Sequence, residues 1–312
     1  MLLIKRAIKK LLLLEPFRHW IRFDSKYQPR ILMYHRLTKN PDGQGITPKQ
    51  FEEHLIFLKY YFKILTLEAA LLRHKRSGRP SLALTFDDGY SDFYHIAWPL
   101  LKKHQVPATL FVTTKFITGE QWLWPDKLRF ILHSAEKNKT ISAATKTQLR
   151  WNKIADELLT LTPDQQNYFL DKLAAEHKID IPALPPKEFA PLTWQQLKTM
   201  QDEGLDIQCH THSHPVLALL NEDELEEELS TSLKLIKENL GKEAWALAYP
   251  NGRLEDVSPM VTTIARSLGL HLGLLARNYD IDDSLSVGRI ASTANTTELI
   301  WRTLRNQTHP TP

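Results

Sequence analysis

The sequence predicts an α/β fold in which parallel strands close into a barrel, and three observations carry that prediction. Short apolar runs alternate with amphipathic, capped stretches along most of the chain, giving seven or eight strands each followed by a helix. Leu82, Ala83, Leu84 and Phe86 form an apolar run bounded by turn formers, the pattern of an inner strand covered on both faces. That strand ends in Asp87 and Asp88, and the strand-like stretch at 205–215 delivers three histidines; barrel enzymes collect such groups at the carboxyl ends of their strands. At 312 residues, with 42% hydrophobic and 24% charged, the chain is long enough for one barrel-sized domain.

Ile31-Leu-Met-Tyr-His35 is the first strand. After a loop with Pro41 and Gly43, Thr47 caps a helix, Pro48 suits its first turn, and Gln50 completes a capping box. Phe51, Leu55 and Leu58 share the inner face of that helix. Phe62 to Leu65 is a short strand, and Thr66 caps a helix that stops near Gly78. The strand ending in the two acids follows, then one helix from about Ser91 to His104 and a strand at Pro107 to Val112.

Residues 119–191 break the rhythm. Trp122, Trp124, Phe130, Trp151, Tyr168 and Phe169 lie in lysine-rich, helix-leaning sequence closed by Pro182, Pro185 and Pro186. This content suits a helical insertion rising from the carboxyl end of a strand. Thr193 and Gln196 make another capping box before a helix that Gly204 ends, and the stretch Leu205 to Pro215 that follows reads as a strand. Asn221 to Gly241 is a long helix with Leu225, Leu229, Leu233, Ile236 and Leu240 inward, while Glu222, Glu224, Glu226, Glu227 and Glu228 form a mostly solvated face. Trp245 to Tyr249 is a strand, and Ser258 and Pro259 open a helix ending at Gly269. Leu272 to Leu275 and Val287 to Ile290 are short strands, and Thr296 to Asn306 closes as an amphipathic helix.

Residues 1–28 stand apart as an amphipathic segment, and residues 29–312 form the barrel with its insertion at about 119–191. The longest apolar run at the start, Leu11 to Leu14, falls far short of the roughly 20 residues that span a bilayer. It also lacks the length and the cleavage site of a secretory signal. Ile4, Ala7, Ile8, Leu11 and Leu12 make one helical stripe flanked by Lys5, Arg6, Lys9 and Lys10. Such a helix either lies on an anionic membrane face or docks on the body of the protein. The expectation is therefore a cytoplasmic protein, with residues 1–22 the candidate for peripheral contact at the inner membrane face. Forty basic against 36 acidic residues exclude the strongly basic footprint of a nucleic-acid binder. The single cysteine, Cys209, excludes internal disulfides and fits a reducing compartment.

Two stretches carry the chemistry. In Thr85-Phe-Asp-Asp-Gly89, successive strand side chains point to opposite faces, so both carboxylates reach one pocket only if the chain bends, which Gly89 permits. Two adjacent buried acids carry a solvation cost that a cation or a shared proton relieves; the plainer reading is a solvated turn. In His210-Thr-His-Ser-His-Pro215, His210, His212 and His214 face one way if the strand continues, whereas a turn near Thr211 leaves only two together. Imidazoles at this density point to metal ligation.

Together with Ala248-Tyr-Pro-Asn-Gly252, these stretches resemble the polysaccharide deacetylases, the NodB-homology enzymes of carbohydrate esterase family 4, whose motifs are T-F-D-D-G and H-[ST]-x-x-H-P. The resemblance covers most of residues 30–290 and implies that family's distorted (β/α)7 barrel. It implies Asp87 as general base, Asp88, His210 and His214 as holders of a divalent metal, and no role for His212. Two imidazoles and a carboxylate leave open positions on the ion, as hydrolytic sites do, and favour zinc over cobalt, nickel or manganese. The implied activity is metal-dependent removal of N-acetyl groups from a cell-surface polysaccharide or glycan precursor. The Tyr249 amide is the candidate oxyanion donor, with Pro250 and Asn251 beside it in the same motif.

The sequence departs from the family pattern at two points. No late histidine follows His271 except His309, and tyrosine occupies position 249, where an arginine often precedes the proline. Arg289 is the candidate charge partner of Asp87, against a plain surface or salt-bridging arginine. Members of the family with a permuted strand order open, as this chain does, on a Tyr-His strand. That makes His35 the candidate general acid, on the same rim as the metal ligands, with a rim-shaping loop contact as its alternative. Two other functions stay open: a carbohydrate-binding protein that kept the barrel without catalysis, and a hydrolase of another C–N amide bond.

Overall fold

The computed structural model describes residues 30–39, 45–72, 79–137, 144–277 and 283–304. The amphipathic segment expected over 1–28, and the membrane contact assigned to it, lie outside the described residues. Among the described residues eight short strands form one sheet: β1 (Arg30–Tyr34), β2 (Lys63–Ile64), β3 (Ser81–Phe86), β4 (Thr109–Val112), β5 (Asp206–Cys209), β6 (Ala246–Ala248), β7 (Leu272–Leu274) and β8 (Ile290–Ala291). Every pairing between them is parallel, in the order β7-β6-β5-β4-β3-β1-β8. β2 stands off that path, pairing with Ser81 and Leu82 on the edge of β3 that β4 takes over from Thr85.

The two ends of the path meet. Val287 pairs in parallel with Leu274, and a few residues later Ile290 and Ala291 pair with Leu32 and Met33. The last stave is thus bonded to β7 at its start and to β1 at its end, which produces the distorted seven-strand parallel barrel expected from the sequence. Alternation along the strands divides the apolar residues between two faces. Ile31, Ala83, Phe111, Ala246, Ala248 and Leu274 cluster on one face, and Leu32, Leu84, Leu110, Ile207 and Leu247 pack under the helices on the other.

The helices are α1 (Pro48–Tyr61), α2 (Leu67–Leu72), α3 (Trp98–His104), α4 (Thr114–Ile117), α5 (Trp124–Lys137), α6 (Ala144–Leu158), α7 (Pro163–Glu176), α8 (Trp194–Asp202), α9 (Glu222–Leu240), α10 (Pro259–Ser267) and α11 (Thr296–Leu304). Reciprocal capping boxes at Thr47 and Gln50, and at Thr193 and Gln196, start α1 and α8 as expected. Others at Thr162 and at Asn221 start α7 and α9. The helix expected from Ser91 to His104 is continuous, but a π-helical turn, Phe93–Ala97, lies inside it and leads into α3. Pro99 explains the difference: it has no N–H for the carbonyl four residues back and crowds it, and the wider turn relieves both, with the Trp98 amide donating to the Phe93 carbonyl. Between β4 and β5, α5, α6 and α7 enclose a core of their own, including Trp124, Leu128, Ile131, Leu158 and Leu170. Among the described residues no helix is long and apolar enough to cross a membrane.

Candidate active site

The site forms where β3 and β5 leave the sheet. The Asp87 amide still donates to the Tyr34 carbonyl, continuing the ladder with β1, and the chain then turns through Asp88 (φ 77°) and Gly89 (φ 93°). Left-handed backbone at a non-glycine residue is strained, and here it swings the second carboxylate to the same side as the first. Glycine suits the next position because its φ of 93° strains any side chain, and a Cβ there would also press on Ile117 Cδ1 at 2.7 Å.

Asp87 is buried against Arg289, which is also buried. Nη1 donates to Oδ1 and Nη2 to Oδ2, each at 2.7 Å, while Nε donates to the Leu275 carbonyl at 3.0 Å. Burial raises the Asp87 pKa; the Arg289 charge, followed by His210 and His35, more than reverses this and leaves it below its ordinary value. Arg289 is therefore the buried charge partner of Asp87, not a surface arginine. His35, just past the end of β1, has its Nε2 3.8 Å from Asp87 Oδ2 and a side chain 43% exposed, so it sits on the open side of the carboxylate.

β5 ends at Cys209, and Thr211 (φ 66°) and His214 (φ 64°) turn the chain back. The turn decides between the two histidine arrangements open from the sequence. His210 and His214 converge on Asp88, with Nε2 atoms 3.3 and 3.6 Å from Oδ1, whereas His212 points aside with Nδ1 2.9 Å from Thr114 Oγ1. Asp88, His210 and His214 are all buried and their ligand atoms lie within 4.8 Å of one another. His210 Nδ1 faces the Ala248 carbonyl at 2.7 Å, which sets the proton on Nδ1 and turns the Nε2 lone pair toward Asp88. Zinc bonds of about 2.1 Å at tetrahedral angles separate donors by about 3.4 Å, so the donor set and its spacing fit a small divalent ion. Burial raises the Asp88 pKa, but the His210 hydrogen bond and the surrounding imidazoles hold it below the usual carboxylate range. Burial, then the charge of His210, pushes His214 down to about 4.

The third motif follows β6. Tyr249 lines the cavity, but its amide donates to the Leu274 carbonyl at 3.1 Å within the sheet, so it is not the oxyanion donor expected. Its hydroxyl donates to the Leu285 carbonyl at 2.8 Å. Pro250 shapes the turn, its carbonyl accepting from the Gly252 amide at 2.6 Å. Asn251 (φ 60°) lines the cavity, and its buried Nδ2 has no hydrogen-bond partner among the described residues.

Opposite the triad, Arg36 donates to Asp92 at 2.7 Å and stacks 4.1 Å from the centre of the Tyr90 ring. The Tyr90 hydroxyl and Arg129 donate to Asp126 at 2.5 and 3.0 Å. This network ties α5 to the rim of the barrel. Burial pushes Asp126 up to about 6, against the lowering effects of Arg36, the Tyr90 bond and Arg129. Together these residues enclose a cavity of about 260 Å³ holding His35, Asp87, Asp88, His210 and His214 on its walls.

Residues 74–273 match the family model for polysaccharide deacetylase. The chain belongs to the polysaccharide deacetylase family. Asp87, Asp88, His210, His214 and the third motif fall inside the matched span, whereas His35 and Arg289 lie outside it. The chain is 31% identical over 151 residues to Bacillus subtilis YxkH, provisionally named a polysaccharide deacetylase, a match covering 47% of this chain and 50% of that protein. It is 33% identical over 88 residues to the poly-beta-1,6-N-acetyl-D-glucosamine N-deacetylase of Staphylococcus aureus, covering 27% of this chain and 30% of that one. The chain thus spans half or less of the length of these curated relatives.

Among solved structures, the deacetylase PplD of Streptococcus pyogenes in complex with acetate superposes with a TM-score of 0.59 at 23% identity, covering 89% of this chain and 98% of that one. IcaB from Ammonifex degensii gives 0.58 at 21% identity, covering 88% and 97%. At these identities the likeness is one of fold, and it is the fold of deacetylases.

Two parts of the site escaped the sequence reading. The Arg36, Asp92, Asp126 and Arg129 network joins residues far apart in the chain, and only the adjacency of Arg36 to His35 hinted at it. Glu228, assigned to a solvated face, is buried and bonded to the histidine loop. Helical spacing could have found it, since Leu225, Glu228, Ser232 and Ile236 recur along one stripe and all are buried.

Proposed function

We propose that this chain removes acetyl groups from an N-acetylated glycan with the help of a divalent ion, zinc by its donor set, held by Asp88, His210 and His214. The observation that carries the proposal is the convergence of that triad with the Arg289-held Asp87 carboxylate on one cavity. When bound, the ion supplies Lewis acidity toward the acyl carbonyl and toward water. Asp87 is the base. Its lowered pKa keeps it ionised, and the two guanidinium bonds fix the plane of the carboxylate that accepts a proton from water. His35, on the open side of Asp87, passes a proton to the amine as the acetamide C–N bond breaks.

With the Tyr249 amide engaged, the Asn251 carboxamide becomes the neutral donor on that wall, and Tyr249 and Pro250 hold its turn in shape. The cavity, at about 260 Å³, lies just under the ~300 Å³ at which small-molecule pockets begin, a size on the scale of a single sugar ring. Poly-beta-1,6-N-acetyl-D-glucosamine, the polymer named for the Staphylococcus aureus relative, leads the candidate substrates. The test is acetate release from N-acetylglucosamine oligomers of several linkages, before and after chelation and after zinc, cobalt, nickel or manganese is restored. Release should stop on chelation and return with metal. Release that ignores the chelator, or none from any oligomer by a folded, metal-loaded chain, would exclude this function.

A further inference from the structure

The loop that carries both histidine ligands has its carbonyls held by the Thr114 and Lys115 amides and by Gln121, while two of its amides are held by one carboxylate. Glu228 of α9 is buried, and its Oε1 accepts from the amides of His212 and Ser213 at 2.7 and 2.5 Å, while Oε2 accepts from the Ser213 hydroxyl at 2.9 Å. One turn further along α9, the Ser232 hydroxyl donates to the Thr211 carbonyl at 3.0 Å. The loop needs such support. It has left the strand, so two successive amides have no ladder partner, and two of its non-glycine residues, Thr211 and His214, sit in left-handed backbone.

The two histidines depend on this support unequally. His210 is oriented by its own bond to the Ala248 carbonyl, whereas His214 Nδ1 is buried with no hydrogen-bond partner among the described residues. Beyond its contacts with Asp88 and the His210 ring inside the triad, the His214 ring has no hydrogen bond from its outer nitrogen among the described residues to orient it, so its position leans on its backbone. That backbone is bonded locally, His214 N–H to Thr211 Oγ1 at 3.1 Å, and is preceded by the two amides that Glu228 holds. A carboxylate suits the task because hydrogen bonds to an ionised acceptor are about twice as strong as neutral ones.

The geometry points to Glu228 as a positioning residue that sets His214, through the backbone of residues 212 and 213, at the distance from Asp88 and His210 that a divalent ion requires. This rests on the metal reading given above, and the experiment separates the two. Zinc affinity is measured by competition with a chromophoric chelator for the wild-type chain, Glu228→Ala, Glu228→Gln and Glu228→Asp, alongside the melting temperature of each metal-free protein.

Glu228→Ala should lose about 10- to 100-fold in zinc affinity while still folded, the usual effect of removing a partner that orients a ligand. Glu228→Gln, whose amide oxygen still accepts from both backbone donors, should recover most of that loss. Should Glu228→Ala fail to fold, Glu228→Asp decides: it keeps the charge but is one methylene short, and it should bind zinc more weakly. Unchanged zinc affinity in a folded Glu228→Ala, or in Glu228→Asp, would overturn the inference. So would a loss in Glu228→Gln equal to that in Glu228→Ala, since charge and not placement would then be responsible. A wild-type chain that binds no divalent ion fails the metal reading itself, whereas equal binding by wild type and Glu228→Ala fails only the present inference.

Discussion

Asp87 and Asp88 are adjacent carboxylates with opposite partners, a guanidinium for one and two imidazoles for the other. The division follows from the left-handed φ of Asp88, which turns its side chain away from Arg289 and toward the histidines. Asp87→Asn should therefore keep its metal and lose about 10²- to 10⁴-fold in turnover, the usual worth of a general base. Metal content and acetate release on one preparation check this, and near-normal turnover would remove Asp87 from the mechanism. His35 has a different signature. His35→Ala should slow amide substrates far more than activated aryl esters, whose leaving groups need no proton, so parallel assays of both classes separate an acid from a residue that only shapes the rim.

Individual elements show what the sequence made legible. The strands could be read because apolar runs end at turn formers, and helix starts could be read because Thr47, Thr193 and Asn221 cap them through side chains three residues on. The candidate metal ligands were legible as residue types, but which of them converge depended on a turn at Thr211 that no periodicity reveals. The π-helical turn was missed because its cause, Pro99, acts on a carbonyl a turn earlier, and Glu228 was missed because it stood among acids that do face water. Asp126, which anchors α5 to the rim, carries a measurable consequence. Its pKa is raised by burial from 3.8 to about 6, so its contribution to stability is present below about pH 4 and is lost as pH rises through about 6. Asp126→Asn should lack that loss, which denaturant titrations of both proteins across pH 4 to 7 would detect as a flatter profile. The turn after β6 is equally exacting: a Cβ at Gly252 (φ 59°) would lie 2.4 Å from the Ala276 amide nitrogen. Gly252→Ala should lower the melting temperature and displace Asn251, with activity falling further than stability alone explains.

Over the whole molecule, the ring is closed by the stave that also delivers Arg289, so one segment both closes the barrel and compensates the charge of Asp87. Arg289→Ala leaves a buried carboxylate unpaired and should cost about 3–5 kcal/mol, read from the denaturant midpoint, together with most of the activity. The partners in that ion pair are 202 residues apart. Asp87 therefore acquires its guanidinium partner only when the stave that closes the ring is in place, however early the rest of the sheet assembles.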